Sequence, residues 1–260
     1  MCIICYKPKN KKMVKYETIK TMYENNPDGA GFMYTYNGTV YGEKGFMSFD
    51  EFYRALKKHD RIWKQAPFVL HFRISTQAGI NKECTHPFPL SSNMADLKRL
   101  TFSNDIGITH NGIIYLTSSY NNKIQHSDTM EFITDYLSLI IQNVNYWKND
   151  NTLTLIERLI DSKLAILDKT GHCELIGHFV NVNGIYYSND SYKKRTYTIK
   201  PTSKTSTTKC YTTYLDDIVW DGCEDDDWDS KYYNTYSCPA YAYDDYSECN
   251  TCLHANTCWG

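Results

Sequence analysis

The chain has 260 residues, a formal net charge of −2 and 42% hydrophobic residues, enough to build one substantial core and an extension. It holds no run of 18 apolar residues, so the sequence predicts no membrane-spanning helix. No signal-peptide pattern precedes the first of its ten cysteines, and we therefore expect a cytoplasmic, reducing location where thiols stay free or bind metal. The high content of Tyr, Lys and Asn is typical of an AT-rich genome, as in a low-GC bacterium or its phage.

Strands and helices alternate over the first two thirds of the chain. Residue patterns and turn signals predict strands at 2–5, 30–36, 39–46, 68–74, 106–108, 164–168, 173–180 and 184–188. Helical spacing predicts helices at 15–25, 48–58, 128–144 and 152–160. Asn37-Gly38 is a strong hairpin signal, and Ser48 with Glu51 is a capping box. Residues 79–104 lack a clean period and are predicted as a long loop that passes the functional site. This order predicts an α+β fold of two packed antiparallel sheets with helices outside.

Cys2 carries the first chemical signal, because it follows Met1 in the sequence Met1-Cys2-Ile3-Ile4-Cys5. Removal of Met1 would leave Cys2 with a thiol and a free α-amine on neighbouring carbons. A thiolate is a strong nucleophile, and an α-amine with a reference pKa of about 7.7–8.0 can serve as its general base. We therefore predict that Cys2 is a self-activated nucleophile. Cys5 is predicted to pack as a small hydrophobic residue.

Four polar segments follow Cys2 along the chain. They are the glycine-rich turn NPDGAGF at 26–32, the strand end HFRIST at 71–76, the segment THNGII at 109–114 and the helix start SDT at 127–129. Together with Cys2, this ordered set resembles the class II glutamine amidotransferases of the N-terminal-nucleophile hydrolase superfamily, over about residues 2–190. The resemblance implies a four-layer αββα sandwich of two antiparallel sheets with helices outside.

The resemblance also implies a reaction and a role for each matching residue. Cys2 would attack the side-chain amide of glutamine and form a γ-glutamyl thioester, with release of ammonia. The Asn111 side-chain amide and the Gly112 N–H would bind the oxyanion, and glycine suits an exposed N–H with an unusual backbone angle. Arg73 would bind the α-carboxylate of the substrate and Asp128 its α-ammonium group. We expect this chemistry to need no cofactor.

Each of these residues also has a structural interpretation. Arg73 alone is equally consistent with an ordinary surface arginine. Asn111-Gly112 is also a type I′ hairpin signal between strands at 105–109 and 112–116. Asp128 also suits a helix cap, with Glu131 completing a capping box.

Three histidines lie near the predicted strands, at positions 71, 86 and 110. Lone histidines in such places are more often structural than catalytic. The scheme in which the α-amine is the base needs no imidazole. We therefore assign no proton-transfer role to His71, His86 or His110.

The composition changes after about residue 200. We expect an amidotransferase-like domain at 2–200, a polar linker at 201–209 and an acidic tail rich in Cys and Tyr at 210–260. The tail carries eleven Asp and Glu and one Lys, a formal charge of −10, against +8 for residues 1–209. The family resemblance does not extend into this tail.

Two interpretations of the tail stay open. A small zinc site would use the Cys249-x-x-Cys252 pair, with Cys238, His254 and Cys258 as completing ligands, although a second C-x-x-C pair is missing. A flexible acidic tail would instead bind the basic body of the chain or a basic partner. In that case the tail would dock a separate protein that uses the ammonia.

Three functions remain open from the sequence. The chain is a glutaminase or amidotransferase subunit, a hydrolase of another amide such as a γ-glutamyl peptide, or a catalytically silent interaction protein on the same fold. The complete set of matching residues argues against the silent protein. We expect a small-molecule amide as the substrate, and neither a membrane nor a nucleic acid as a partner.

Overall fold

The computed structural model describes residues 2–75, 79–117, 126–143 and 147–194. Over these residues the chain is an α+β fold with two antiparallel sheets and a few helices. The strands are β1 Ile3–Lys7, β2 Ala30–Tyr36, β3 Thr39–Phe46, β4 Phe68–Phe72, β5 Phe88–Pro89, β6 Thr101–Asn104, β7 Ile106–Asn111, β8 Lys163–Asp168, β9 Cys173–Ile176, β10 Val180–Val182 and β11 Ile185–Tyr187. The helices are α1 Tyr16–Glu24, α2 Phe49–Lys57, α3 Met94–Lys98, α4 Asp128–Phe132, α5 Ser138–Asn143 and α6 Asp150–Ile160, with a 3₁₀ turn at Asp60–Ile62 and a π-helical segment at Ile133–Leu137.

The strand order puts the start of the chain inside a sheet. The described strands of the larger sheet lie in the order β10-β11-β1-β4-β2-β3-β6, and those of the smaller sheet in the order β5-β7-β8-β9. β1 pairs with β4 in a register that places Ile3 opposite Phe72. β7 pairs with β8 so that Asn111 lies opposite Lys163.

Side-chain alternation along the strands separates the apolar clusters. Ile3 and Cys5 of β1 pack in one cluster with side chains of α1 and α2, which confirms the prediction for Cys5. Ile4 packs between the sheets, in a cluster with Met33, Val40 and Val69 of the larger sheet and Ala165 and Leu167 of the smaller one. Side chains of α4, α5 and α6 cover the other face of the smaller sheet. Cys2 directly precedes β1 and therefore lies at the end of that strand.

Two local predictions are confirmed. β2 and β3 have the predicted bounds, and they join at Asn37 and Gly38, whose φ angles of 49° and 75° are both positive, as a type I′ turn requires. Ser48 is the N-cap of α2, and its hydroxyl accepts a 3.3 Å hydrogen bond from the Glu51 N–H, which confirms the predicted start of the helix and the Ser48 half of the capping box.

The prediction of a long loop at 79–104 is wrong. This segment contains β5, α3 and β6, which are two to five residues long and therefore too short to leave a period in the sequence. Lys44, a buried residue of β3 in the neighbouring hairpin, holds this segment in place. Its ammonium group donates to the carbonyl oxygens of Glu83 at 2.7 Å and Leu97 at 2.6 Å.

The predicted helix at 128–144 and the predicted C-terminal meander also differ from the structure. The π-helical segment interrupts the helix between α4 and α5. The predicted strand at 173–180 is two strands, because Gly177 takes a φ of 84° and the chain leaves the smaller sheet there. β9 belongs to the smaller sheet, whereas β10 and β11 belong to the larger one. The predicted strand at 106–108 extends to Asn111.

The predicted linker at 201–209 and tail at 210–260 lie outside the described residues. Each helix of the described segments is too short or too polar to serve as a membrane span.

Candidate active site

The Cys2 side chain lies against the backbone that follows β4. Its Sγ atom is 3.4 Å from the Ile74 N–H nitrogen, which donates to it, and 3.4 Å from the Ile74 carbonyl oxygen. Burial raises the pKa of the Cys2 thiol above its ordinary value, while the Ile74 N–H and the Arg73 guanidinium act in the opposite direction. A thiol in this position is protonated near neutral pH and needs a base to become a nucleophile.

Arg73 follows β4 directly and is buried, with 5% of its surface exposed. Its backbone N–H donates to the Gly29 carbonyl at 2.8 Å, and its Nη1 donates to the Gly79 carbonyl at 2.9 Å. The interpretation of Arg73 as a surface arginine is therefore wrong. Its neighbour Asp28, from the predicted glycine-rich turn, accepts a 2.8 Å hydrogen bond from the Ser75 N–H and so braces this strand end.

Asn111 is the last residue of β7, and residues 112–117, all of them described, form no strand. The hairpin interpretation of Asn111-Gly112 is therefore wrong. The Asn111 Nδ2 atom donates to the Ser188 Oγ at 2.9 Å, and its buried Oδ1 has no hydrogen-bond partner among the described residues. Gly112 has a φ of 152°, and a Cβ atom at this position would collide with the Ser162 side chain. Both observations explain why a glycine follows the asparagine.

Asp128 is the first residue of α4, but it is not the cap of that helix. Ser127 is the N-cap, and its hydroxyl accepts a hydrogen bond from the Met130 N–H at 3.3 Å, so the capping interpretation of Asp128 is wrong. The Asp128 carboxylate accepts from the Ile114 N–H at 2.8 Å and from the Thr129 N–H at 2.7 Å. Asp128 thus ties the segment after Gly112 to the start of α4.

His110 links three parts of the site. Its Nδ1 atom is 2.9 Å from the Thr129 Oγ1 and its Nε2 atom is 2.7 Å from the Ser162 Oγ, and both pairs are within hydrogen-bond distance. Burial lowers the pKa of His110 to about 4, against the opposing charge of Asp128, so the ring is neutral at pH 7. This neutral ring holds the start of α4 and Ser162 around Asn111 and Gly112.

His71 and His86 form a buried pair with ring centroids 4.2 Å apart. The His71 Nε2 atom lies 3.0 Å from the His110 carbonyl oxygen, whereas its Nδ1 and both ring nitrogens of His86 have no partner among the described residues. Burial lowers the pKa of His71 to about 3 and that of His86 well below its ordinary value. The pair is neutral near pH 7. Its nitrogens that lack a partner among the described residues lower the stability of the folded state.

Two residues that sequence reasoning missed join Cys2 and its strand to Asn111. Ser188 accepts hydrogen bonds from the Ile4 N–H at 2.8 Å and from the Asn111 side chain. The Asn189 Nδ2 donates to the Cys2 carbonyl oxygen at 2.7 Å. Nothing local marks them, because a serine and an asparagine after a strand also fit an ordinary turn.

Cys2, just before β1, and Arg73, just after β4, lie at neighbouring strand ends of the larger sheet, and the Ser188 hydroxyl connects Asn111 of the smaller sheet to Ile4. Asp128 joins them through Ile114 and the Gly112 segment. Thr76, the last residue of the predicted motif, lies outside the described residues. Such an arrangement supplies a thiol, a buried cation, an anion and amide donors within one region.

The described segments hold no group of three or more His, Cys, Asp or Glu side chains that could bind a metal ion. The predicted zinc ligands Cys238, Cys249, Cys252, His254 and Cys258 lie outside them. No protein-family model matches this chain, and no curated protein matches it in sequence.

Proposed function

We propose that this chain is an N-terminal cysteine amidohydrolase of the class II glutamine amidotransferase type, which releases ammonia from glutamine. The proposal includes the four-layer αββα sandwich of the N-terminal-nucleophile hydrolases. The observation that carries it is that Cys2 and Arg73 lie at neighbouring strand ends of the larger sheet, while the Ser188 hydroxyl connects Asn111 of the smaller sheet to Ile4 of β1. Two sheets that pack face to face with helices on them support the fold.

Cys2 is the nucleophile in this proposal. Because burial raises the pKa of its thiol, a base must take the thiol proton, and after removal of Met1 the α-amine of Cys2 itself is at hand. The sulfur attacks the side-chain amide carbon, the C–N bond breaks, and the amine passes its proton to the departing ammonia. Water then hydrolyses the γ-glutamyl thioester and gives glutamate.

Asn111 and Gly112 stabilise the oxyanion of the tetrahedral intermediates. The Nδ2 atom of Asn111 has two N–H bonds, one of which goes to Ser188, so the other remains for the substrate. The unusual φ of Gly112 turns its backbone away from a regular strand at this point. Each such donor contributes about 2.7–4 kcal/mol to the transition state.

Arg73 and Asp128 bind the two charged groups of the amino-acid substrate. Arg73 is buried, and its planar guanidinium is the kind of group that binds the two oxygens of a carboxylate side by side. The Asp128 carboxylate uses two of its roughly four acceptor positions on backbone N–H groups and a third on the Thr129 hydroxyl, and it offers the remaining one to an ammonium group. This pair selects a zwitterion over a simple amide.

The test is ammonia release by purified protein that intact mass shows to have lost Met1. Glutamine, asparagine and γ-glutamyl dipeptides are compared, with Cys2→Ala as the inactive variant and Cys5→Ala as a matched cysteine control. We expect hydrolysis of glutamine that requires Cys2 and not Cys5. Faster turnover of the dipeptides would identify γ-glutamyl peptides as the preferred substrates. Full activity with Met1 retained would overturn the α-amine mechanism.

A further inference from the structure

Ser188 is a fully buried residue that directly follows β11. Its hydroxyl oxygen accepts the Ile4 N–H at 2.8 Å, and its own N–H donates to the Ile4 carbonyl oxygen at 2.9 Å. These two bonds fix the Ser188 Oγ relative to β1. The Lys163 ammonium group also donates to the Ser188 carbonyl oxygen, which ties the residue to the strand beside β7.

The same hydroxyl oxygen holds the Asn111 side chain. It accepts from the Asn111 Nδ2 at 2.9 Å, while the buried Asn111 Oδ1 has no partner among the described residues. Ser188 is therefore the one hydrogen-bond partner that the described residues give to this side chain. With that bond removed, the amide plane is free to turn about its terminal torsion, which is broad for asparagine.

We propose that Ser188 is the positioning residue that orients the Asn111 amide for oxyanion binding. The inference rests on the proposed function and adds to it a residue that acts through Asn111 and does not touch the substrate. Oxyanion donors accelerate a reaction because they point at the developing charge before it forms. A donor held by a single bond depends on that bond for its direction.

Ser188 also couples the donor to the nucleophile. Asn111 belongs to the smaller sheet and Ile4 to the larger one, and the Ser188 hydroxyl bonds to both. The next residue, Asn189, donates to the Cys2 carbonyl oxygen at 2.7 Å. Asn189 thus holds the Cys2 backbone, whereas the Ser188 hydroxyl holds the Asn111 amide.

The experiment is a double-mutant cycle on glutamine hydrolysis with Ser188→Ala, Asn111→Ala and the double variant. We expect Ser188→Ala to lower kcat about 10-fold to 100-fold with little change in KM, below the roughly 10²–10³-fold loss on removal of a donor. The double variant should be no slower than Asn111→Ala, because Ser188 acts only through Asn111. Ser138→Ala is the matched control, since this buried hydroxyl donates to the Thr134 carbonyl in the helical layer, and it should leave kcat unchanged.

A second readout separates positioning from damage to the fold. Alkylation of Cys2 by iodoacetamide displaces iodide at a saturated carbon and forms no oxyanion, so its rate in Ser188→Ala should equal that of the wild type. Peptide mass spectrometry measures the rate at Cys2. If Ser188→Ala does not fold, Ser188→Cys keeps a weaker acceptor in place and should give a smaller fall in kcat at constant KM.

The outcomes distinguish the two proposals. Wild-type protein with a free Cys2 that hydrolyses neither glutamine nor γ-glutamyl amides would overturn the proposed function and this inference with it. An active wild type would overturn the inference alone in four cases. These are additive losses in the cycle, a change confined to KM, an equal loss of alkylation rate, or an unchanged kcat in the folded Ser188 variant.

Discussion

The side-chain amide of Asn189 donates a 2.7 Å hydrogen bond to the carbonyl oxygen of Cys2, across 187 positions of sequence. The backbone of the candidate nucleophile is thus held by the bend that follows β11. Ser188, one residue earlier, exchanges two hydrogen bonds with Ile4. Residues from the end of the described chain therefore contact Cys2 and Ile4 at its start.

This relationship predicts where the chain tolerates truncation. Truncation after Lys200 should leave glutamine hydrolysis largely intact, because every proposed site residue precedes it. Truncation after Tyr187 should abolish hydrolysis, because it removes the bonds to Cys2, Ile4 and Asn111. Ammonia release by both proteins checks this. Loss of activity in the longer fragment would show that the acidic tail takes part in catalysis.

The proposed zinc ligands in the tail are tested separately, by metal analysis of the full chain.

Cys2 should be the thiol that reacts with a glutamine-like electrophile. A diazoketone analogue of glutamine should label Cys2 and be blocked by glutamine, since Arg73 and Asp128 would bind its charged ends. Burial raises the pKa of the Cys84 and Cys173 thiols, as it does for Cys2, but neither has an α-amine on the neighbouring carbon to act as its base, and neither is expected to react at a comparable rate. Peptide mapping after labelling is the measurement. If Cys84 or Cys173 were labelled instead, and glutamine blocked that labelling, Cys2 would not be the nucleophile.

Substitutions at the site should separate substrate binding from the chemical step. Arg73→Ala and Asp128→Ala should each weaken substrate capture by about 1.5–3 kcal/mol, because each removes charged hydrogen bonds. Asn111→Ala should instead lower kcat about 10²–10³-fold. Arg99→Ala, which removes a mostly exposed arginine paired with Asp96, is the matched control and should change neither constant. An Asn111→Ala variant that only raised KM would contradict the oxyanion role.

The buried histidines should make the fold sensitive to acid. Burial lowers the folded-state pKa of His71 to about 3 and that of His110 to about 4, below the usual value of about 6.5 for an unfolded chain. Between those values the unfolded chain binds more protons, so the free energy of unfolding should fall as pH drops from about 6.5 toward 4. Each such histidine adds up to about 1.4 kcal/mol per pH unit over this window.

Replacement of His86 should reduce this pH dependence. His86→Leu removes a buried ring whose two nitrogens have no partner among the described residues. Urea unfolding at several pH values between 4.5 and 7.5 measures the slope. Phe88→Leu, which replaces a buried ring without a titratable group, is the control and should leave the slope unchanged. An equal slope in His86→Leu and wild type would show that His86 does not contribute.

The amino-acid sequence by itself determined the features that depend on neighbouring residues. Asn37-Gly38 predicted the β2–β3 hairpin, because both turn residues need a positive φ. Ser48 and Glu51 predicted the start of α2 through a bond that spans three residues. The sequence also singled out Cys2, Arg73, Asn111, Gly112 and Asp128 through their order and chemistry.

Tertiary structure alone decided the features that depend on distant residues. The burial of Arg73, on which local signals were evenly divided, follows from packing. Local signals alone do not decide whether Asn111-Gly112 ends a strand or makes a hairpin, or which residue caps α4. The short elements within 79–104 form because Lys44 and β3 hold them, and their own sequence shows no period. Ser188 and Asn189 joined the site only when folding brought β11 beside β1, since hydrogen bonds across more than seventy residues leave no pattern in the sequence between them.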